Sequence, residues 1–162
     1  MSAQDTITVR PARAADAPAL RAILHDTFES TWAPRVMLAA AQAFRDEDRP
    51  GAYVGERGLK FRVGEWGGQV VGFVDWEADL VNAPHVRGTH ARLGVGAALM
   101  DVTEAEVAAS GFAAVRLETD TFNVRSQGFY RARGYVEATR YPDTEWNSGI
   151  VTLLLIKMLA SP

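Results

Sequence analysis

One segment limits what this chain can fold into more than any other. It runs from His85 through Val86-Arg87-Gly88-Thr89-His90-Ala91-Arg92-Leu93 and Gly94-Val95-Gly96 to Met100, and then to a second strand-like run, Ala113–Thr119. It reads as a short strand at His85–Gly88, a tight glycine-bearing loop, a helix opening near Gly96, and a strand. Gly111 is placed to stop the helix. This strand-helix-strand unit, from His85 to Thr119, holds the loop. The first turn of a helix has unbonded N–H groups and the positive end of the dipole, so Gly94 and Gly96 mark an anion site, with glycine allowing close approach. On this evidence the loop predicts a pyrophosphate cradle.

The flanking elements do not alternate regularly. Ile7–Arg10 reads as a strand ended by Pro11. Asp16 is a candidate N-cap for a helix with Leu20, Ile23, Leu24, Thr27 and Phe28 on one face and a break at Thr31–Pro34. A second helix is expected over Val36–Arg45, with Leu38, Ala41 and Phe44 inward. Asp46–Gly58 carries charges, Pro50, Gly51 and Gly55, and reads as a mobile loop. Phe61–Trp66 and Val70–Trp76 flank Gly67-Gly68, a hairpin signal, the second strand running on toward Leu80. Asn82–Pro84 reads as a turn. The central helix presents Ala98, Leu99, Val102, Ala105 and Ala109. Asn123 caps a further helix through Arg133, Gly134 ends it, and strands Tyr135–Tyr141 and Ile150–Met158 enclose a turn at 142–149.

The order β-α-α-β-β-β-α-β-α-β-β predicts an α/β (α+β) fold. About seven strands form a mostly antiparallel mixed sheet, with about four helices on both faces. At 162 residues this is one domain over 1–162. A net charge of −3 gives no support to a nucleic-acid partner. The absence of Cys removes disulfides, thiolate nucleophiles and Cys-based zinc sites. His25, His85 and His90 lack metal-motif spacing, so no metal is expected. Ile150–Leu159, interrupted by Thr152 and Lys157, is far short of the roughly 20 residues that span a bilayer. No basic-then-apolar leader follows Met1–Gln4. A cytoplasmic protein with no membrane partner is expected. The apolar Val151–Met158 strand could pair at an edge with a second copy as a homodimer.

A second block sharpens the loop: Leu117-Glu118-Thr119, then Asn123, then Gly128-Phe129-Tyr130-Arg131-Ala132-Arg133-Gly134-Tyr135. With Gly94-x-Gly96, and with Ile7-Thr8-Val9-Arg10-Pro11-Ala12 ahead of Asp16, this resembles the GNAT superfamily of acyl-CoA-dependent N-acyltransferases over about the whole chain. Two departures stand out: Ala91 where the family usually has Arg or Gln, and Gly88 in place of Pro.

The resemblance implies acetyl-CoA as cosubstrate and a small-molecule or protein amine as acceptor. The amides of Leu93, Gly94, Val95, Gly96 and Ala97 would hold the pyrophosphate, with Arg92 at the rim. Val86 and Gly88, on a strand splayed from Val115–Thr119, would pair with the pantetheine arm, as would Asn123 beyond its capping role. Tyr130 would be the general acid, since a phenol with a pKa of about 10 can protonate a thiolate of pKa about 8.5; Phe129 reads as the core aromatic beside it. Candidate bases are Glu77, His85, His90, Glu118 and Asp120, with Glu77 and His85 foremost. Phe28 and Trp32 follow the first helix, where the family builds its acceptor pocket. Asp75, Glu77, Asp143 and Glu145 could supply negative charge for an amine. The alternative function is a non-catalytic acyl-CoA-binding or interaction domain, which would have no need of an acid. A P-loop nucleotide site lacks its Gly-Lys-Ser/Thr signature.

Overall fold

The computed structural model describes residues 6–144 and 148–160; Met1–Gln4 and Glu145 lie outside it. Seven strands form one sheet in the order β1-β2-β3-β4-β5-β7-β6. They are β1 (Ile7–Pro11), β2 (Arg62–Trp66), β3 (Gln69–Glu77), β4 (Leu80–Val86), β5 (Ala114–Asp120), β6 (Val136–Pro142) and β7 (Val151–Met158). Every neighbouring pair is antiparallel except β4–β5, which is parallel. Five helices accompany them: α1 (Ala17–Thr27), α2 (Leu38–Asp46), α3 (Arg49–Arg57), α4 (Val95–Ala109) and α5 (Val124–Ala132).

Successive strand residues face opposite sides of a sheet, and two neighbours show it here. Val63 and Phe73 pack with Leu20 and Ile23 of α1 on one side. Gly64 and Gly72 face the other side, where a Cβ on Gly64 would stand 2.9 Å from Val95 Cγ1. The strand glycines thus let the start of α4 lie directly on the sheet. Leu99, Met100 and Val107 continue that contact into the larger core with Leu117, Tyr130 and Leu155.

Several expectations are corrected. The stretch read as a loop at 46–58 contains α3. Asp48, at φ 47°, turns the chain and accepts the Gly51 N–H, while Pro50 and Val54 are buried. Its glycines disfavour a helix, and packing overrides them. Asp16 does not cap α1: its carboxylate is taken by Arg10 (2.8 and 3.0 Å) and the Arg13 N–H. The helix does break at Ala33–Pro34, which lie in a turn, but Thr31 and Trp32 still belong to a π-helical turn over Phe28–Trp32 that continues α1. Leu38 is 90% exposed, leaving Ala41 and Phe44 as the inner stripe of α2. Asn82–Pro84 is strand, and the turn before it falls at Ala78, with φ 55°.

The buried face of α4 is Val95, Leu99, Met100, Thr103, Glu104 and Val107, so Ala105 and Ala109 face out. Glu104 is tolerated inside because Lys157, Arg133 and the Tyr135 hydroxyl surround it. The homodimer expectation fails in its stated form. Strand β7 lies between β5 and β6 and has no free edge, and the outer strand is the exposed β6.

Candidate active site

Strand β4 pairs with β5 only at Leu80↔Arg116 and Val81↔Leu117. Beyond these residues the two parallel strands separate, and Pro84 lies in this unpaired stretch, where its missing N–H removes no β4–β5 bond. A cavity of about 580 Å³ opens beside the gap. Asn82, Pro84 and His85 line it from β4, and Glu118, Thr119 and Asp120 from β5. Asn123, Ser126 and Tyr130 line it at α5, and Thr27, Phe28 and Trp32 where α1 ends.

The glycine loop leads from β4 into α4. Arg92 (φ 63°) and Gly94 (φ 92°) both take left-handed backbone, and the α4 ladder begins with Ala98 N–H to Gly94 O at 3.0 Å. The amides ahead of it have no helical carbonyl to reach. Gly94 is required by its φ. Gly96 is not required by packing: a Cβ there would meet only Phe129 at 3.7 Å and Val86 at 3.9 Å, ordinary contacts. Phe129 directly precedes Tyr130 and Val86 directly follows His85, so the loop's neighbours adjoin the cavity wall in the chain without lining it themselves. Arg92, Leu93 and Ala91 are exposed beside the loop. Both backbone groups of Gly88 are engaged, the N–H with Asp26 Oδ2 (2.9 Å) and the carbonyl with the Ala91 N–H.

Asn123 caps α5, its Oδ1 accepting the Ser126 N–H at 3.2 Å, and its amide nitrogen has no partner among the described residues. Tyr130 is 3% exposed. The core aromatic is therefore Tyr130, with Phe129 only partly buried, the reverse of the expectation. Its ring is packed edgewise on Phe129 and Tyr135, and burial holds the hydroxyl well above its ordinary pKa despite Ser126 beside it. The phenol is thus protonated at neutral pH.

His85 stacks on Phe73 (5.1 Å), and burial lowers its pKa to about 4, so the ring is neutral. Its Nδ1 lies 3.1 Å from Thr27 Oγ1, which donates its only hydrogen to Leu24 O at 3.3 Å. With the hydroxyl hydrogen turned to Leu24, the same oxygen accepts from Nδ1–H, the tautomer that leaves a lone pair on Nε2. His85 lines the cavity, and Nε2 has no partner among the described residues.

The remaining candidates divide. Glu77 is exposed, lies 3.4 Å from Arg57 and is absent from the cavity wall. His90 sits on Thr89 in the loop. Glu118 accepts from the Tyr141 hydroxyl at 2.8 Å, and Asp120 from the Trp32 indole at 2.8 Å. Burial raises the Asp120 carboxyl above the usual range, the indole N–H opposes this, and the charges of Asp143 and Glu118 add to the rise. Phe28 is stacked on Phe44 at 3.7 Å. Asp75 is fully buried and outside the cavity wall, committed to Arg57, Tyr53 and Asn82.

Sequence reasoning missed Thr27, Ser126 and the α3 contribution of Arg49, Tyr53 and Glu56 to the wall. The 3.6-residue spacing of Pro50, Val54 and Arg57 is the signal that would have found α3.

Residues 17–135 match the acetyltransferase (GNAT) family. The chain belongs to this family. As a member it is an acyltransferase. Among solved structures, apo YjaB from Escherichia coli superposes with a TM-score of 0.78 at 18% identity, covering 96% of this chain and 99% of that one. The ribosomal-protein-S18-alanine N-acetyltransferase of Escherichia coli gives 0.71 at 18% identity, over 97% and 96%. PaiA N-acetyltransferase from Thermoplasma acidophilum, in complex with coenzyme A, gives 0.73 at 14% identity, over 95% and 99%. At these identities the likeness is one of fold. No curated protein matches the chain. No helix among the described residues is long and apolar enough to cross a membrane. No cluster of three or more His, Asp or Glu among them could hold a metal ion.

Proposed function

We propose that this chain is an N-acetyltransferase moving an acetyl group from acetyl-CoA to a primary amine by direct attack in a ternary complex. The observation that carries the reading is the parting of β4 from β5 beyond Val81, with two unlike features beside it. One is a helix-terminal amide array in which packing does not require Gly96, and the other is a cavity with a protonated phenol and a neutral imidazole in its wall.

The residues fit the cosubstrate. The amides of Leu93, Gly94, Val95, Gly96 and Ala97 hold the pyrophosphate, helped by the α4 dipole and Arg92. Main-chain donors carry this contact, so Ala91 removes one side-chain bond only. Val86 and the free amide nitrogen of Asn123 lie where the arm would run; Gly88, with its backbone engaged, contributes shape. Acetyl-CoA supplies the acetyl group and leaves as the thiol. The acceptor nitrogen enters as the free amine, its N–H donating to His85 Nε2, and attacks the thioester carbonyl. Tyr130 protonates the departing sulfur and regains a proton from the new amide nitrogen. Glu77, turned to Arg57 outside the cavity, is set aside as base. The protein relatives of known acceptor are consistent with an amine substrate.

Two measurements test this. At acetyl-CoA about 100-fold above its Kd, Tm rises by about 5–10 °C, while NAD and ATP give no comparable shift; a shift with NAD or ATP alone overturns the reading. Tyr130→Phe lowers kcat for CoA release by about 100-fold or more with unchanged acetyl-CoA stabilisation. An unchanged rate across pH removes Tyr130 as the acid.

A further inference from the structure

The wall of the cavity beyond His85 is uneven in charge. Glu56, Glu118, Asp120 and Asp143 line it, against one guanidinium, Arg49, which is paired with Glu47 at 3.0 Å. Elsewhere the more buried carboxylates of the protein are met by cations: Asp16 by Arg10, Asp75 by Arg57, Asp79 by Arg116, and Glu104 by Arg133 and Lys157. Asp120 is different. Its hydrogen-bond donor is a neutral indole N–H, and two further carboxylates raise rather than lower its charge burden. A carboxylate taken from water without a cation is unfavourable, and one with like charges beside it more so.

Trp32 links this corner to the reacting end. Its indole donates to Asp120 at 2.8 Å, and its ring centroid lies 5.7 Å from that of His85. His85 and Asp120 therefore line one chamber, each beside the Trp32 ring. Phe28 and Phe44 close the apolar wall behind it. An aliphatic chain beside the indole, with a nitrogen at each end, matches both polar points, and the ring face favours the cationic end.

We infer that the acceptor is a small aliphatic amine with a second cationic centre, the reacting nitrogen at His85 Nε2 and the second cation held by Asp120 beside Trp32. This rests on the N-acetyltransferase reading above and names its substrate class. Amino acids are disfavoured, because an α-carboxylate would be brought among Asp120, Glu118 and Asp143.

The test uses binding, so it does not depend on turnover. The Trp32 indole N–H is bonded to Asp120, and its NMR signal reports the chamber; Trp32→Phe assigns it. Titration of the full chain with 1,4-diaminobutane moves this signal to saturation at a concentration at least tenfold below that needed with n-butylamine. In Asp120→Asn, whose amide oxygen still accepts from Trp32, the two amines bind alike, and Tm verifies that the variant is folded. Equal affinities in the wild-type chain, or an indole signal that neither amine moves at 10 mM (roughly the weak limit of specific binding), overturns the inference. Acetyl-CoA stabilisation measured on the same sample separates that outcome from failure of the acetyltransferase reading.

Discussion

The Trp32 indole Nε1 donates to Asp120 Oδ2 at 2.8 Å, joining residues 88 positions apart. The bond fixes the π-helical turn after α1 to the end of β5, at the side of the gap where those strands have parted. It also leaves a partly buried carboxylate with a neutral donor and two like charges. Its pKa is raised by burial first and by Asp143 and Glu118 after that. A carboxyl whose folded pKa lies above its unfolded value of about 3.9 releases its proton less readily when folded. Stability attributable to it is therefore lost as pH rises through the folded pKa, and below the unfolded pKa it has no effect. Asp120→Asn is expected to raise Tm at pH 7–8 and to leave it unchanged near pH 3, in thermal melts against the wild-type chain. A lower Tm at pH 7 would show that the charge is compensated.

His85 gives the opposite pH signature. Burial holds its pKa at about 4, against about 6.5 in the unfolded chain. Between those values the unfolded state binds the proton and the folded state does not, so stability falls as pH drops from about 6.5 to about 4. His85→Gln removes this component. The expected result is a shallower loss of denaturation free energy over that window in urea titrations, other groups contributing equally to both chains. Parallel curves for the two chains would place the histidine in contact with water.

How much of this was legible in the sequence depended on whether local signals and packing agreed. Gly67-Gly68 makes its hairpin at φ 58° and 83°, and Gly111 and Gly134 end helices at positive φ, because local conformation alone selects glycine there. Gly94 and Asn123 were legible for the same reason: a left-handed turn and a side-chain cap are local needs. Helix α3 was not. Gly51 and Gly55 argue against it, and what holds it is Asp75, at a bulge in β3 that no short-range pattern announces. The shifted face of α4 was hidden similarly, since Glu104 reads as exposed until Lys157 and Arg133 are brought to it. The candidate site follows the same division. Its loop and Tyr130 came from motif spacing, while the Thr27–His85 and Trp32–Asp120 pairs arise from chain segments 58 and 88 residues apart.

Asp75 ties the acceptor side together. Its buried carboxylate accepts from Arg57 Nε (2.7 Å) and Nη2 (2.9 Å), the Tyr53 hydroxyl (2.6 Å) and Asn82 Nδ2 (3.0 Å). Tyr53 and Asn82 both line the cavity. Asp75→Ala removes the main acceptor of the guanidinium and the acceptor of a buried phenol, at about 3 kcal/mol, the low end for a broken buried pair because Arg57 keeps Glu77 and the Trp76 carbonyl. The expected outcome is a lower urea midpoint together with amide exchange in α3 faster than in α4. Uniform exchange in the two helices would mean that α3 is held by its apolar face alone.

Gly96 separates packing from ligand binding. The protein itself has room for a methyl group there, at 3.7 Å from Phe129 Cζ and 3.9 Å from Val86 Cγ2. Gly96→Ala should therefore keep the fold, and the helix preference for alanine adds up to about 1 kcal/mol of stability. The same methyl adds bulk at the α4 N-terminus, beside Phe129 and Val86, where the cosubstrate's phosphates and arm are proposed to run. Thermal stabilisation by acetyl-CoA should fall to a small fraction of the wild-type shift at equal concentration, while the unliganded Tm holds or rises. Both readouts come from one pair of melts. A variant that keeps the full acetyl-CoA shift would move the cosubstrate away from the α4 N-terminus, and one that melts early without ligand would return Gly96 to a purely structural role.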